Sequence, residues 1–224
     1  MMPFTVLILT CGANAPYHMS KIMKTYYPEC FRLVGVDINQ KWMVASSIYM
    51  DEYYQCPYSS DPTYYQFILD VCDREKVDFI IPLLDVEHVM FYKENPDLLN
   101  RKIISFGLSQ DTICFFGGGE ISTFNKSDVY KKFSEYGIKC PHTISKNNEI
   151  VDNEQYFVKP IDGYGSIGVG LYEGVNIKNI NLQKYIVQEN CLQPEITIEC
   201  FQYDGQISTI ARERMASRAG VCVK

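Results

Sequence analysis

Tyr156-Phe-Val-Lys-Pro-Ile-Asp-Gly-Tyr-Gly-Ser-Ile-Gly-Val-Gly170 places one lysine at the end of an apolar β run and follows it with a glycine-rich turn that leads into a second strand. Lys159 carries a compact charge on a flexible stem, and Gly163, Gly165 and Gly168 let backbone N–H groups approach a ligand with no Cβ in the way. Both features suit phosphate. The same residues also fit a glycine-rich β-hairpin with a surface lysine, so the flanking sequence has to separate the two readings.

Just upstream, the pattern predicts a helix. Asn125 stands at the cap position, Asp128 falls in the first turn near the positive end of the dipole, and Val129, Tyr130, Phe133 and Tyr136 form an apolar stripe that Gly137 terminates. Lys126 projects from the first turn. Strands are expected over Gln155 to Val158, Gly168 to Tyr172, Tyr185 to Glu189, Ile196 to Phe201 and Gln206 to Ala211. The alternation in Ile196-Thr-Ile-Glu-Cys-Phe201 predicts a half-exposed antiparallel sheet. Two lysines, Lys126 and Lys159, can neutralise a triphosphate without a P-loop. Val187-Gln-Glu-Asn190 ends an apolar strand, where Gln188, Glu189 and Asn190 could read an adenine edge in an apolar slot, and Glu195 could accept from ribose hydroxyls. Each residue alone also reads as a solvated surface group; their order and spacing favour a nucleotide site.

The first half has another rhythm. Phe4 to Thr10, Arg32 to Asp37, Asp78 to Leu84 and Arg101 to Phe106 are apolar β runs, and Tyr17 to Tyr27 and Thr63 to Lys76 carry helical spacing between them. Alternating strands and helices imply a parallel, doubly wound sheet, and the second half reads as α+β. Phe115-Phe-Gly-Gly-Gly-Glu120 marks the junction; no lysine-serine pair directly follows its last glycine, so it reads as a flexible connection rather than a phosphate loop. Gly12 after the first strand and Asp37 at the end of the second raise a rival, a nicotinamide-dependent oxidoreductase of Rossmann type. Thr10-Cys-Gly-Ala-Asn-Ala-Pro16 has a single glycine, however, and Pro16 replaces a small residue, so the dinucleotide fingerprint is not present.

The chain has 224 residues, 46% of them apolar and 21% charged, as in a globular protein of one large or two small domains. A net charge of -6 argues against nucleic acid as the main partner. No apolar run reaches the ~20 residues that cross a bilayer. The nine cysteines are scattered without C-x-x-C spacing and there is no signal peptide, which predicts reduced thiols in a cytoplasmic protein. His18, His88 and His142 lack metal-ligand spacing.

In order, Asn125-Lys126 opening a helix, Phe157-Val-Lys-Pro160 with Gly-Tyr-Gly-Ser-Ile-Gly168, Val187-Gln-Glu-Asn190, Glu195-Ile-Thr-Ile-Glu199, and Arg212-Glu-Arg214 with Arg218-Ala-Gly220 resemble the ATP-grasp enzymes, and among them proteins similar to the carbamoyl-phosphate synthase large chain. The resemblance implies an α/β fold. A Rossmann-like domain with a parallel sheet would cover 1–112, the ATP-grasp N-terminal subdomain 113–190, and the start of its C-terminal subdomain 191–224. It further implies that Lys126 and Lys159 contact ATP phosphates under the loop holding Gly163, Gly165 and Ser166, that Gln188, Glu189 and Asn190 line the adenine slot, and that Glu195 binds ribose. ATP would phosphorylate a small carboxylate, an amine would attack the acyl phosphate, and Arg214 would steady the anionic intermediate, with Arg212 and Arg218 as further candidates. Family members continue past this point and carry their magnesium ligands there. The expectation is therefore an incomplete ATP-grasp domain, a truncated product, a fragment or half of a site completed by a second chain. Such a chain would be weakly active or inactive on its own, and its open sheet edge would favour pairing with another copy. A non-catalytic nucleotide-binding or interaction module that keeps the fold is the alternative.

Overall fold

The computed structural model describes residues 2–116, 126–161, 168–191, 194–203, 205–215, 217–218 and 221–222. Two compact units divide the chain, Met1–Phe124 and Asn125–Lys224.

The first unit runs β1 (Phe4–Ile8), α1 (Asn14–Tyr26), β2 (Phe31–Asp37), β3 (Glu52–Gln55), α2 (Tyr64–Glu75), β4 (Phe79–Ile81), α3 (Asp85–Met90), α4 (Pro96–Asn100), β5 (Ile104–Ser105) and α5 (Gln110–Phe116). Its five strands are all parallel, in the order β3-β2-β1-β4-β5. Continuous apolar runs form β1 and β2 because helices cover both faces of the sheet. Leu7, Leu9, Val34, Val36 and Ile80 pack with Ile68, Val71 and Cys72 of α2. Val6, Ile8, Cys11 and Leu33 make a second layer with Met19 and Met23 of α1. The runs expected at 78–84 and 101–106 shorten to three and two residues. Pro82 has no N–H to continue a ladder, which limits β4.

Glu87 is fully buried and ties this unit together. Its Oε1 accepts from the hydroxyls of Thr10 and Tyr64, each at 2.6 Å, and its Oε2 from the N–H groups of Leu83 and Leu84 at 2.9 and 3.0 Å. Four donors compensate the cost of a carboxylate out of water.

The second unit holds α6 (Lys126–Glu135), β6 (Gln155–Pro160), β7 (Gly170–Glu173), α7 (Gly174–Ile177), β8 (Tyr185–Glu189), β9 (Ile196–Tyr203), β10 (Gln206–Glu213), β11 (Ser217–Arg218) and β12 (Val221–Cys222). β7-β6-β8 is an antiparallel sheet over a small core of Ile144, Ile150, Tyr156, Val158, Ile177 and Val187. Gly137 follows α6 at φ +72°, a left-handed position that ends the helix without a Cβ penalty. The expected apolar stripe of α6 is only partly used: no residue of the helix is buried, and Tyr136 is 66% exposed. β9 and β10 pair in full register from Ile196↔Glu213 to Tyr203↔Gln206. The hairpin was expected to be half-exposed, yet its described side chains are exposed on both faces, Ile198 and Ile207 on one and Phe201 and Ile210 on the other.

Candidate functional site

Side chains on β6 alternate. Tyr156 and Val158 enter the core, so Phe157 and Lys159 emerge on the opposite face. The Lys159 ammonium donates to the Tyr130 hydroxyl at 2.5 Å, lies 4.6 Å from the centre of that ring and 5.6 Å from the centre of Phe157. It is half-buried, and among the described residues no carboxylate forms an ion pair with it. Aromatic faces attract a cation but do not neutralise it, so the charge is left available to an anion.

Lys126 opens α6, and both its backbone N–H and its Nζ reach the Ile161 carbonyl at 3.4 Å. The helix start is thereby fastened to the end of β6, two residues past Lys159. Both lysines stand where the strand runs out. Of the glycine turn that follows, Gly163, Gly165 and Ser166 lie outside the described residues, as do the cap residue Asn125 and the triple glycine at 117–119. Gly168 has φ +71°, and a Cβ there would also meet Pro160 Cγ at 3.2 Å. That glycine is required by the backbone.

Gln188 is buried and donates through Nε2 to Thr143 Oγ1 at 3.0 Å. Glu189 Oε1 accepts from the His142 N–H at 2.7 Å, while its own N–H donates to the His142 carbonyl at 2.9 Å. Both side chains hold residues 142–144 against β8, where Thr143 bridges Gln188 and Ile144 donates to Val187. Asn190 is exposed just past the strand.

Glu195 and Arg214 are brought to each other. Arg214 Nη1 donates to Glu195 Oε1 at 2.6 Å, and the Arg214 N–H donates to the Glu195 carbonyl at 2.8 Å, closing the open end of the hairpin. Arg212 pairs with Glu199. The Arg218 side chain lies outside the described residues. Tyr130, expected only as part of an apolar stripe, and His142 and Thr143 were not expected at the site; Tyr130 had one available signal, its place four residues after Lys126 on the same helical face.

At the other end of the chain, Asp37 Oδ2 accepts from the Gly12 N–H at 2.8 Å and Oδ1 from the backbone and side chain of Asn39 at 2.9 and 2.8 Å. A Cβ on Gly12 would lie 2.6 Å from Oδ2. The acid that a dinucleotide fold offers to ribose is here folded into the turn that would receive the pyrophosphate, which counts against the nicotinamide rival.

Burial pushes the thiols of Cys11, Cys56 and Cys72 up to about 12, which keeps them protonated and unsuited to nucleophilic or metal chemistry at neutral pH. Among the described residues no group of three or more His, Cys, Asp or Glu side chains is disposed to hold a metal ion. A magnesium ion bound with a nucleotide takes most of its ligands from phosphates and water and needs only one or two carboxylates, so this does not bear on magnesium, and no step below is routed through it. No helix among them is long and apolar enough to cross a membrane.

Residues 6–104 match the family described as PylC-like, N-terminal domain, and residues 123–217 match the ATP-grasp domain family. No curated protein matches the chain. Among solved structures, it is similar to the biotin carboxylase domain of Hydrogenobacter thermophilus 2-oxoglutarate carboxylase, seen with MgADP, ADP and bicarbonate, at TM-score 0.61 and 14% identity over 98% of this chain and 52% of that one. It is also similar to Rhizobium etli pyruvate carboxylase, seen with the allosteric activator acetyl coenzyme-A, at TM-score 0.60 and 12% identity over 97% of this chain and 21% of that one. The biotin carboxylase domain of a single-chain bacterial carboxylase gives TM-score 0.58 and 11% identity over 97% and 48%. The chain thus spans about half the length of the first of these neighbours. At such identities the likeness is one of fold. The two family matches and the two units of the structure lead to one conclusion: the chain carries a PylC-like N-terminal domain followed by an ATP-grasp domain.

Proposed function

We propose that the chain is the nucleotide-binding part of an ATP-dependent carboxylate-amine ligase that works through an acyl phosphate, similar to the carbamoyl-phosphate synthase large chain. The observation that carries this reading is the half-buried Lys159 ammonium, held by two aromatic rings with no described carboxylate partner, beside a helix start that supplies Lys126. A charge in partial burial is costly unless an anion completes it, and a nucleotide polyphosphate is the anion that two convergent lysines suit.

In this reading Lys126 and Lys159 hold the terminal phosphates, with the glycine turn at Gly163, Gly165 and Ser166 closing over them. Gln188, Glu189 and Asn190 border the adenine. The His142 contacts already engage the Glu189 N–H and carboxylate, so Asn190 is the residue best placed to read the base edge. Glu195 serves the ribose once its pair with Arg214 opens. A carboxylate oxygen of the substrate attacks the γ-phosphorus and ADP leaves; an amine nitrogen then attacks the acyl carbon and inorganic phosphate leaves. Arg214 faces the anionic acyl phosphate, where a fixed guanidinium stabilises developing charge. The neighbour seen in complex with MgADP, ADP and bicarbonate supports a small oxyanion as substrate. The unpaired thiols support a reducing, cytoplasmic compartment.

Two measurements test the proposal. ATP should raise the thermal midpoint in proportion to occupancy whereas NAD(H) should not. ADP release should rise with one member of a panel of carboxylates and amines. ATP binding with no stimulation by any pair, even with the remainder of the ligase supplied, would leave the non-catalytic module as the correct reading, and stabilisation by NAD(H) alone would defeat both.

A further inference from the structure

We infer that Tyr130 is a positioning residue for Lys159: it fixes the direction in which the phosphate-binding ammonium points. The inference rests on the nucleotide-binding reading above. A lysine side chain has four rotatable bonds and about 2 kcal/mol of rotamer entropy, so a lysine that must meet a phosphate gains from being aimed beforehand. Lys159 is aimed by one residue in two ways. The Tyr130 hydroxyl accepts one of its three N–H bonds at 2.5 Å, and the ring lies 4.6 Å from the same nitrogen. Phe157, two residues earlier on the strand, bounds a further side at 5.6 Å. Among the described residues no other acceptor meets it, which leaves two N–H directions for phosphate oxygens.

The contact is not a by-product of core packing. Tyr130 belongs to a helix with no buried residue and is itself only half-buried. It also lines a cavity of about 370 Å³ with Ser127, Lys131, Ser134 and Cys140. With open space at its side, the ring is not wedged in place, and its polar contact with Lys159 is the directed one. Tyr130 stands one helical turn after Lys126, on the same face of α6. One helix therefore supplies the first lysine directly and aims the second from the strand beside it. The two charges of the phosphate clamp are thereby set by a single rigid element.

The test is Tyr130→Phe, which keeps the ring and removes the acceptor, measured on the full chain by calorimetry with ATP, inorganic tripolyphosphate and adenosine. Loss of one orienting hydrogen bond that does not itself touch the ligand predicts a roughly five- to tenfold weaker affinity for ATP and tripolyphosphate, less than loss of the ammonium itself. Adenosine affinity should not change, because adenosine has nothing for Lys159 to hold. In a Lys159→Met background, Tyr130→Phe should have no further effect on ATP. An equal loss for all three ligands would show a merely structural tyrosine and overturn the inference, as would unchanged ATP affinity in a folded variant. If the unaltered chain binds neither ATP nor tripolyphosphate, the nucleotide-binding reading fails first and the positioning role falls with it. If Lys159→Met weakens ATP but Tyr130→Phe does not, only the positioning role fails.

Discussion

Replacing Lys159 by methionine removes the ammonium and keeps most of the stem, so it separates phosphate binding from folding. At an effective dielectric constant of about 20, a unit charge about 4 Å from a phosphate oxygen contributes about 4 kcal/mol before desolvation. Lys159 is half-buried, so part of its hydration is surrendered when an anion arrives. The net value should fall in the range of hydrogen bonds to charged groups, about 1.5–3 kcal/mol, which is roughly ten- to hundredfold in Kd. The fold should hardly notice. Lys159 makes no ion pair among the described residues, and its place in β6 is secured by backbone pairing with Ile186 of β8. The thermal midpoint should stay within about 2–4 °C of the original. Titration with a fluorescent ATP analogue, competed by ATP, measures the affinity, and Lys139→Met at an exposed position outside the strands controls for loss of charge alone. A folded Lys159→Met chain that binds ATP as tightly as the original would refute the assignment of Lys159 to phosphate.

Four further outcomes concern the scaffold. Glu87→Gln sets an amide NH2 among four donors that now point at carboxylate oxygens, and should lower stability by about 2–4 kcal/mol in urea unfolding; an unchanged midpoint would mean that the four bonds are not formed together. A Cβ at Gly174 would lie 2.0 Å from the Val151 carbonyl oxygen, so Gly174→Ala should cost about 1–3 kcal/mol or more, with the loss read by far-UV circular dichroism on heating. Burial holds the His88 imidazole below its ordinary pKa, against the opposing pull of Asp85 and Glu87. The unfolded chain then takes up the proton more readily than the folded one, so this residue's contribution to stability is lost as pH falls through the ordinary histidine range, and His88→Gln should flatten the urea midpoint between pH 7.5 and 5.5. Ile198 is 61% and Ile207 66% exposed on one face of the hairpin, so Ile198→Thr with Ile207→Thr should leave the thermal midpoint of the second unit unchanged; a marked drop would show that this face is covered.

Much of the fold is legible from residues that act locally. The apolar runs of β1 and β2 announce a sheet covered on both sides, and Gly137 marks the end of α6 because its left-handed φ suits glycine. β3 escapes notice because Glu52-Tyr-Tyr-Gln55 is short and polar, a strand defined by its pairing with β2 rather than by its own composition. The short helices α3 and α4 carry local caps, Glu87 reaching back to the Leu83 and Leu84 N–H groups and Asn95 accepting from Asp97 and Leu98, but at six and five residues they are too short to show an apolar period. At the site, the two lysines are visible as motif positions. Which way a side chain aims is set by a partner distant in sequence, and Tyr130 lies 29 residues from the lysine it holds. The same limit applies to Gln188 and Glu189, whose side chains turn toward residues 142 and 143.

The strand order of the first unit also bears on how the protein is made. Of the five strands of its sheet β1 is made first, and it ends in the centre, flanked by β2 on one side and β4 on the other. Its β2 neighbour follows within a few dozen residues, but the bond from the Thr5 N–H to Asp78 spans 73 positions. Until β4 has emerged, one rim of β1 carries unpaired amides along an apolar run, the arrangement most prone to pairing with a foreign strand. The wait is shorter in the second unit, where β6 also ends in the centre of its sheet but Lys159 finds its partner at Ile186, and where β9 and β10 are joined by a two-residue connection and can zip as soon as both exist. Nascent chains should thus be most exposed to misassociation over the interval in which residues 38–81 are being added, a window set by topology alone.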